Sequence, residues 1–380
     1  MKIAIVRGDF AAPGELPNFF PLAVHNQLSL FTGFFPVWNL GNTYGIKVEK
    51  LISPVDLNFG KISRFKMALL NRIFIDAHKL FGLENKLQEF DIAHCAETYY
   101  SFTQQCINAK EKGFIKAVFS TAWENIPFNN EGIRGRKEYK MRAFKKIDLF
   151  LAVTKRAKNV LIEEGCNSQK IEVLMPGVDL NRFKKSNHKF VFPKKFEGKM
   201  KLLFSGRLVE EKGIIELINI YKKIKSGNKD ICLIIAGEGP LREKLEEEVT
   251  TEGIQDIEFL GKIPYFEMPQ LYSSCDLLLH YPVGSATWKE QYGMALIEAM
   301  ACALPILGLD QGSVAEIIGR GGIISDKKNY FSELILLIRN YKKLKFISLE
   351  AEKFAKSAYD SRRYARNLQN MYLAVLNKTN

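Results

Sequence analysis

The sequence predicts an α/β protein of two doubly wound domains, and three observations carry this prediction. Short apolar runs alternate with stretches of helical periodicity along the whole chain. Several runs are apolar at every position, as expected of parallel strands covered on both faces. The chain has 380 residues, more than twice the roughly 150 that serve as a guide for one domain. The predicted strands are residues 2–6, 92–96, 117–121, 149–153, 171–174, 202–205, 232–236, 257–259, 277–280 and 305–308.

A polar and basic stretch, residues 181–199, divides these strands into two sets. It contains proline and glycine, which are typical of a connection between domains. We therefore predict a first domain over residues 1–180, a linker over 181–199 and a second domain over 200–358. Residues 359–380 contain a stretch of helical periodicity, and we expect a C-terminal helix that packs back on the first domain.

Composition narrows the classes of protein that the chain can belong to. Apolar residues make up 47% and charged residues 26%, with a net charge of +13, which fits a folded protein with an anionic partner. Six scattered cysteines without a CxxC pair favour reduced thiols. No apolar run is long enough to span a bilayer, and the N-terminus does not resemble a secretory signal. We expect a cytoplasmic protein.

An apolar segment with two acidic residues, WKEQYGMALIEAMACALP at 288–305, is the most informative part of the sequence. From Gly293 onward it predicts a buried helix, since it is apolar on nearly every face. Glu298 is the charged residue of that helix, and a buried carboxylate needs a partner or an open cleft. Glu290 could grip a different part of the same extended ligand. The alternative is that Glu298 caps a neighbouring loop and Glu290 is merely exposed.

A second segment, KLLFSGRLVEEK at 201–212, places two cations after a predicted strand. Gly206 would let a ligand approach the backbone closely, and the following helix N-terminus favours an anion. The guanidinium group of Arg207 has N–H donors whose planar arrangement suits phosphate oxygens, and Lys212 adds a second positive charge. We favour phosphate binding at this strand end. The alternative is two surface cations in a basic protein.

Other motifs are weak or absent. The segment IIAGEGP at 234–240 leads from an apolar strand into glycines, which many strand–helix turns use. There is no GxGxxG after the first strand, no P-loop and no GxSxG. The five histidines form no metal-binding motif, so we expect no metal. Without a helix-turn-helix, an RRM-like aromatic motif or a zinc finger, we expect no nucleic-acid partner.

Taken together, these segments resemble glycosyltransferase family 4, retaining enzymes that use sugar nucleotides. The resemblance covers residues 201–305 through FSGRLVEEKG, IIAGEGPLREKL, IEFLGKIPYFEMPQLYSSCDLLL and EQYGMALIEAMACALP, in the family's order. It implies the GT-B fold, two facing Rossmann-like domains with a cleft between them. The acceptor would bind in the first domain and the donor in the second. The donor would be a nucleotide diphosphate sugar such as a UDP- or GDP-sugar, and the acceptor a glycan or a lipid-linked molecule.

The resemblance also implies roles for individual residues. Arg207 and Lys212 would hold the diphosphate and stabilise its charge as it leaves, so that no metal or other cofactor is required. Glu290 would hold the sugar being transferred, and Glu298 the ribose hydroxyls. The remaining donor contacts would come from Gly206, Gly237, Glu238, Lys262, Ile263, Gln291, Tyr292, Gly293 and Met294.

The first half departs from the family's pattern at two points. The family usually has glycines in the loop after the first strand, where this chain has only Gly8 and Gly14. The family often has a histidine after the strand at 117–121, where this chain has Trp123 and Glu124. Glu124 could substitute as a polar group of the acceptor side. We take Gly8, Gly14 and Glu124 as candidates for that side.

Two basic segments, 61–79 and 134–146, alternate cations with Phe, Met and Leu. This pattern is typical of a surface that contacts anionic lipid, which suggests a peripheral protein on the inner face of the plasma membrane. A solvated basic face beside a buried stripe is the alternative. Three further functions stay open: a sugar-nucleotide epimerase, a phosphorylase, and a carbohydrate-binding protein that retains the fold without activity.

Overall fold

The computed structural model describes residues 1–56, 70, 75–227 and 230–379. The chain divides into two compact units. The first consists of Met1–Gly177 and Ser361–Asn380, and the second of Val178–Asp360. Residues 181–199 therefore fall within the second unit.

The first unit contains a seven-stranded parallel sheet in the order β3-β2-β1-β4-β5-β6-β7. The chain builds one half outward from β1 to β3 and then continues on the other side of β1. This order is that of a doubly wound sheet, with its switch point between β1 and β4. The strands are β1 Lys2–Val6, β2 Gln27–Thr32, β3 Lys47–Lys50, β4 Ile92–Ala96, β5 Ala117–Ala122, β6 Leu149–Ala152 and β7 Ile171–Val173.

The second unit contains a six-stranded parallel sheet in the order β10-β9-β8-β11-β12-β13. Its switch point lies between β8 and β11, so both units confirm the predicted doubly wound topology. The strands are β8 Met200–Ser205, β9 Ile231–Ala236, β10 Ile257–Gly261, β11 Leu277–His280, β12 Ile306–Leu309 and β13 Ile323–Ser325.

Helices connect the strands within each unit. In the first unit they are α1 Leu83–Lys86, α2 Ser101–Glu111, α3 Arg136–Lys146, α4 Lys155–Glu163 and the C-terminal α12 Ser361–Thr379. In the second unit they are α5 Ile214–Lys225, α6 Arg242–Thr251, α7 Met268–Ser274, α8 Met294–Ala301, α9 Val314–Ile318, α10 Tyr330–Arg339 and α11 Tyr341–Ala358.

All ten predicted strands are present, and three further strands lie where the sequence predicted none. Polar Gln27, Ser29 and Thr32 interrupt the apolar run of β2, although five of its six residues are buried. β3 is a short edge strand with the sequence KVEK and no fully buried position. β13 has only three residues. Short or interrupted runs of this kind lack the continuous apolar pattern by which buried parallel strands are recognised.

The C-terminal helix α12 packs against the core of the first unit. Tyr372 is fully buried, and its hydroxyl lies 2.5 Å from His94 Nδ1 on β4. The Tyr372 ring also meets the Phe119 ring on β5 edge-on at 4.6 Å between centroids. Tyr364 and Leu368 are buried in the same cluster. The apolar face of α12 therefore completes the core that the seven strands begin.

Candidate functional site

The candidate donor site lies at the carboxyl ends of the strands of the second sheet. The switch point lies between β8 and β11. In doubly wound sheets the connecting segments leave a switch point in opposite directions, and ligands bind in the crevice outside the strand ends. Gly206 and Arg207 follow β8 directly, and His280 is the last residue of β11. The strand order thus brings the predicted phosphate-binding segment to the position where doubly wound sheets bind their ligands.

Two glycines let the ends of β8 and β9 approach each other. The Gly206 amide donates to the Ala236 carbonyl at 3.0 Å. Gly237 has φ +150°, and a Cβ there would lie 1.8 Å from the Gly206 carbonyl oxygen. No larger residue fits at Gly237 without moving that backbone. The turns after β8 and β9 therefore leave backbone, rather than side chains, at this edge.

The two predicted cations differ in their surroundings. Arg207 is exposed, and within the part of the chain that the structure describes its side chain has no ion pair or hydrogen bond. Lys212 ends a short 3-10 turn, Glu210–Lys212, and is followed by Gly213 with φ +68°. A Cβ at Gly213 would lie 1.8 Å from the Tyr281 carbonyl oxygen, so glycine is required there. Lys212 is held in place, whereas Arg207 is available to a ligand.

Lys212, Glu290 and His280 form a cluster in which Glu290 and His280 are buried and Lys212 is partly buried. Lys212 Nζ donates to Glu290 Oε2 at 2.5 Å, and His280 Nε2 lies 3.3 Å from the same oxygen. The Lys212 ammonium also lies 5.1 Å from the centroid of the Trp288 ring. Sequence reasoning placed Lys212 and Glu290 in one site but did not predict their direct contact, and it missed His280.

The charge state of Glu290 follows from this cluster. Burial by itself raises the pKa of the Glu290 carboxyl group. The positive charge of Lys212 and the hydrogen bonds to Lys212 and His280 outweigh burial and hold that pKa well below its usual range. These neighbours therefore favour the ionised form of Glu290.

The loop that carries Glu290 is fixed by the segment after β12. The Glu290 amide donates to Gln311 Oε1 at 3.1 Å, and the Ser313 amide donates to the Glu290 carbonyl at 2.9 Å. A Cβ at Gly312, where φ is +66°, would lie 2.3 Å from that same carbonyl oxygen. Gln311 is a second residue that the sequence did not single out. The Gln311 side chain fixes the position of Glu290 by accepting the hydrogen bond from its backbone amide.

Glu298 lies on the buried helix α8, as predicted, and it has a partner. The Tyr272 hydroxyl on α7 donates to Glu298 Oε2 at 3.2 Å, and Ser205 Oγ at the end of β8 lies 3.3 Å from that hydroxyl. Burial raises the pKa of Glu298 to about 7, although hydrogen bonds from Tyr265 and Tyr272 act in the opposite direction. Glu298 therefore titrates near neutral pH.

The segment between the two glutamates contains the start of helix α8. Gly293 has φ +78° and precedes Met294, the first residue of α8. The first amides of a helix lack intrahelical acceptors and attract anions. Gln291 is partly buried and Tyr292 buried. Helix α8 begins only after Glu290, so the two glutamates belong to different elements.

Glu238, Lys262 and Ile263 follow β9 and β10. The Glu238 carboxylate pairs with Arg242 on α6. A Cβ at Gly261, where φ is +71°, would lie 2.8 Å from both Glu238 Oε1 and Arg242. The turn Lys262–Ile263 therefore starts beside this ion pair. The predicted backbone contacts of these residues with a base or ribose remain a prediction.

In the first unit, the predicted acceptor-side residues follow β1 and β5. Gly8 has φ +52°, and a Cβ there would lie 3.1 Å from the Phe102 ring, while Gly14 is buried. Glu124 accepts hydrogen bonds, each at 3.0 Å, from the amides of Asn125 and Ile126 and from the side chains of Asn129 and Asn130. Glu124 thus shapes its own loop, and its role in acceptor binding remains a prediction.

Glu97 is a buried carboxylate after β4 that the sequence did not assign to the site. Its backbone has φ +59°, which is rare outside glycine. Glu97 Oε1 accepts a hydrogen bond from the Trp123 amide at 2.8 Å. Burial and the negative charge of Glu124 raise the pKa of Glu97 to about 8. The environment of Glu97 comes from residues that follow β5, so the pattern along β4 does not predict it.

Comparison with known proteins shows what the second unit and the whole fold are similar to. Residues 186–358 match the model of the family described as glycosyl transferases group 1. Two uncharacterized glycosyltransferases of Methanocaldococcus jannaschii are 27% and 26% identical to the chain. These alignments cover 74% and 62% of this chain, and 75% and 60% of the relatives' own lengths.

A solved structure extends the likeness to nearly the whole chain. The crystal structure of HepE from Anabaena in complex with UDP-glucose has a TM-score of 0.75 and 16% identity, and the match covers 98% of this chain and 100% of that one. This likeness shows the fold. The protein thus falls in the class of GT-B proteins that carry a glycosyltransferase domain. Within that fold, residues 186–358 are similar to the glycosyl transferases group 1 family.

Proposed function

We propose that the chain transfers a sugar from a nucleotide diphosphate sugar to a glycan or lipid-linked acceptor, with retention at the anomeric carbon. Two observations carry this proposal: Lys212, Glu290 and His280 form a cluster, and the exposed Arg207 lies on the same connection after β8 as Lys212. A cation held in place and a second, exposed cation suit a diphosphate that gains charge as it leaves. The site lies where doubly wound sheets bind their ligands.

The two glutamates bind different parts of the donor in this proposal. Glu290 is held ionised by its neighbours, so its carboxylate can accept hydrogen bonds from sugar hydroxyls. The Tyr272 hydroxyl connects Glu298 to Ser205 at the end of β8. A carboxylate at this position suits the ribose hydroxyls of the donor. The amides at the start of α8 would face the phosphates and sugar. In this assignment no step requires a metal or another cofactor.

A membrane surface is the proposed second partner. No helix in the described part of the chain has the length and apolarity to cross a bilayer. Of the basic segment 134–146, Arg136 and Lys140 are buried and Lys140 pairs with Glu164 at 2.5 Å. Exposed positions such as Lys137 and Lys145 leave a basic surface on α3. Most of segment 61–79 lies outside the described residues. We propose a cytoplasmic enzyme that binds anionic membrane peripherally.

A thermal-shift panel tests the donor proposal. Nucleoside diphosphates and their sugars are added singly to the protein, starting with UDP and UDP-glucose because HepE was crystallised with both. A ligand that binds the native state at 100 times its Kd stabilises it by about 2.7 kcal/mol. We expect one base to raise Tm by several degrees, with adenosine monophosphate as the control. No shift with any diphosphate would contradict the proposal.

The affinity for the nucleoside diphosphate is expected to rise with pH around neutrality. Ribose hydroxyls donate to the ionised form of Glu298, whose pKa is raised to about 7, so the binding-competent form is minor at pH 6 and dominant at pH 8. The expected gain between these pH values is about tenfold. Titration calorimetry at both pH values measures it.

The Glu298→Gln variant is the control for this pH dependence. Glutamine keeps an acceptor oxygen but does not titrate, so only the titration of the ligand's own phosphate should remain. The Glu298→Ala variant should weaken nucleotide binding at both pH values. The same pH profile in wild type and Glu298→Gln would rule out the assignment of Glu298 to the ribose.

A further inference from the structure

The loop after β2 exposes a run of apolar side chains. Phe35 is 76% exposed and Val37 64%, and Phe34 and Trp38 are also exposed. Together with Pro36 they form five consecutive apolar residues, and soluble proteins seldom expose such a run unless it binds something. We call residues 33–38 the aromatic loop.

The aromatic loop is held in a defined conformation by hydrogen bonds. The amides of Phe34 and Phe35 donate to the two carboxylate oxygens of Asp56 at 3.4 and 3.3 Å. The Val37 amide donates to the Asp9 carbonyl at 2.9 Å. Asp56 is itself anchored, since it accepts hydrogen bonds from the amide and the hydroxyl of one serine, Ser53, at 2.7 and 2.8 Å. The loop is thus built to present its apolar side chains outward.

Neighbouring residues enlarge this surface and add positive charge. Ile52 follows β3 and is exposed, and its carbonyl accepts the amide of Phe81, which is also exposed. Lys50 is exposed, and its ammonium donates to the Phe34 carbonyl at 3.5 Å. Lys79 is exposed two residues before Phe81. Aromatic and aliphatic side chains flanked by lysines are typical of surfaces that enter the headgroup region of a bilayer.

We propose that the aromatic loop, with Ile52 and Phe81, inserts into the interfacial layer of an anionic lipid bilayer. The net charge of +13 supplies the complementary long-range attraction. This inference deepens the membrane part of the proposed function and rests on it for the choice of partner. The loop follows β2 at the carboxyl edge of the first sheet, where open sheets bind ligands. Insertion brings a lipid-linked acceptor to that edge.

Vesicle sedimentation tests the inference with a matched pair of double variants. The full chain is mixed with phosphatidylcholine vesicles with and without phosphatidylglycerol. F35S/V37S removes two exposed apolar side chains of the loop, and F266S/V191S removes the same two residue types at positions 69% and 89% exposed in the second unit. All four positions are exposed, so both variants should fold. We expect F35S/V37S to lose about tenfold or more in partitioning into anionic vesicles, and F266S/V191S to bind as wild type does.

Three outcomes would overturn the inference: wild type binding neither vesicle, F35S/V37S binding as tightly as wild type, or both variants losing binding equally. Self-association of wild type that F35S/V37S abolishes, without vesicle binding, would identify a second copy of the chain as the occupant instead. The nucleotide thermal shift of F35S/V37S should equal that of wild type. If neither wild type nor F35S/V37S shows a nucleotide thermal shift, only the donor proposal is contradicted, because vesicle sedimentation does not depend on the donor.

Discussion

Arg207→Ala should lower the rate of sugar transfer by about two to three orders of magnitude without changing stability. Removing one donor that stabilises developing charge costs about this much in other enzymes. The side chain is exposed and has no ion pair or hydrogen bond within the described part of the chain, so its loss should change the free energy of unfolding by less than about 0.5 kcal/mol. Release of nucleoside diphosphate from the sugar nucleotide that the thermal-shift panel selects measures the rate.

The matched control for this variant is Arg339→Ala on α10, which also removes an exposed arginine in the second unit. It should leave the rate unchanged. If Arg207→Ala retains full activity, or if both variants lose activity equally, Arg207 does not hold the leaving diphosphate. A loss of nucleotide affinity with an unchanged maximal rate would assign Arg207 to ground-state binding.

Lys212→Ala should remove both activity and stability. It leaves the Glu290 carboxylate buried without its ammonium partner, and breaking a buried ion pair from one side costs about 3–5 kcal/mol. The pKa of Glu290 should then rise, because burial is no longer offset by Lys212. Urea unfolding of the variant and its rate of nucleoside diphosphate release measure the two effects.

A second substitution separates these two effects. In Lys212→Ala/Glu290→Gln the buried carboxylate is replaced by a neutral group of the same shape, so much of the lost stability should return. Activity should not return, because both the cation at the diphosphate and the carboxylate at the sugar are missing. Recovery of activity in the double variant would show that Lys212 acts only through Glu290. Stability equal to wild type in Lys212→Ala alone would contradict the buried pair.

The sequence predicted those parts of the fold and site that local patterns encode. All ten predicted strands exist because parallel buried strands are short apolar runs. Gly206, Arg207 and Lys212 could be placed after β8 because they follow an apolar run directly. The strands β2, β3 and β13 were missed because polar residues or shortness conceal the apolar pattern.

The parts of the site that the sequence did not predict depend on contacts between separate segments of the chain. Lys212 meets Glu290 and His280 because β8 lies beside β11, and Gln311 holds Glu290 because β12 lies beside β11. Tyr272 reaches Glu298 from another helix. The raised pKa of Glu97 likewise comes from packing against the strand that precedes Glu124. Such contacts follow from strand order, which periodicity does not reveal.

The return of α12 to the first unit has a consequence for biosynthesis. Residues 1–177 hold all seven strands of that unit, but Tyr364, Leu368 and Tyr372 of its core are translated only after the whole second unit. Because domains fold as their residues emerge from the ribosome, the second unit can finish first. The core of the first unit stays incomplete, with its apolar residues uncovered, until α12 has been synthesised and packs against them.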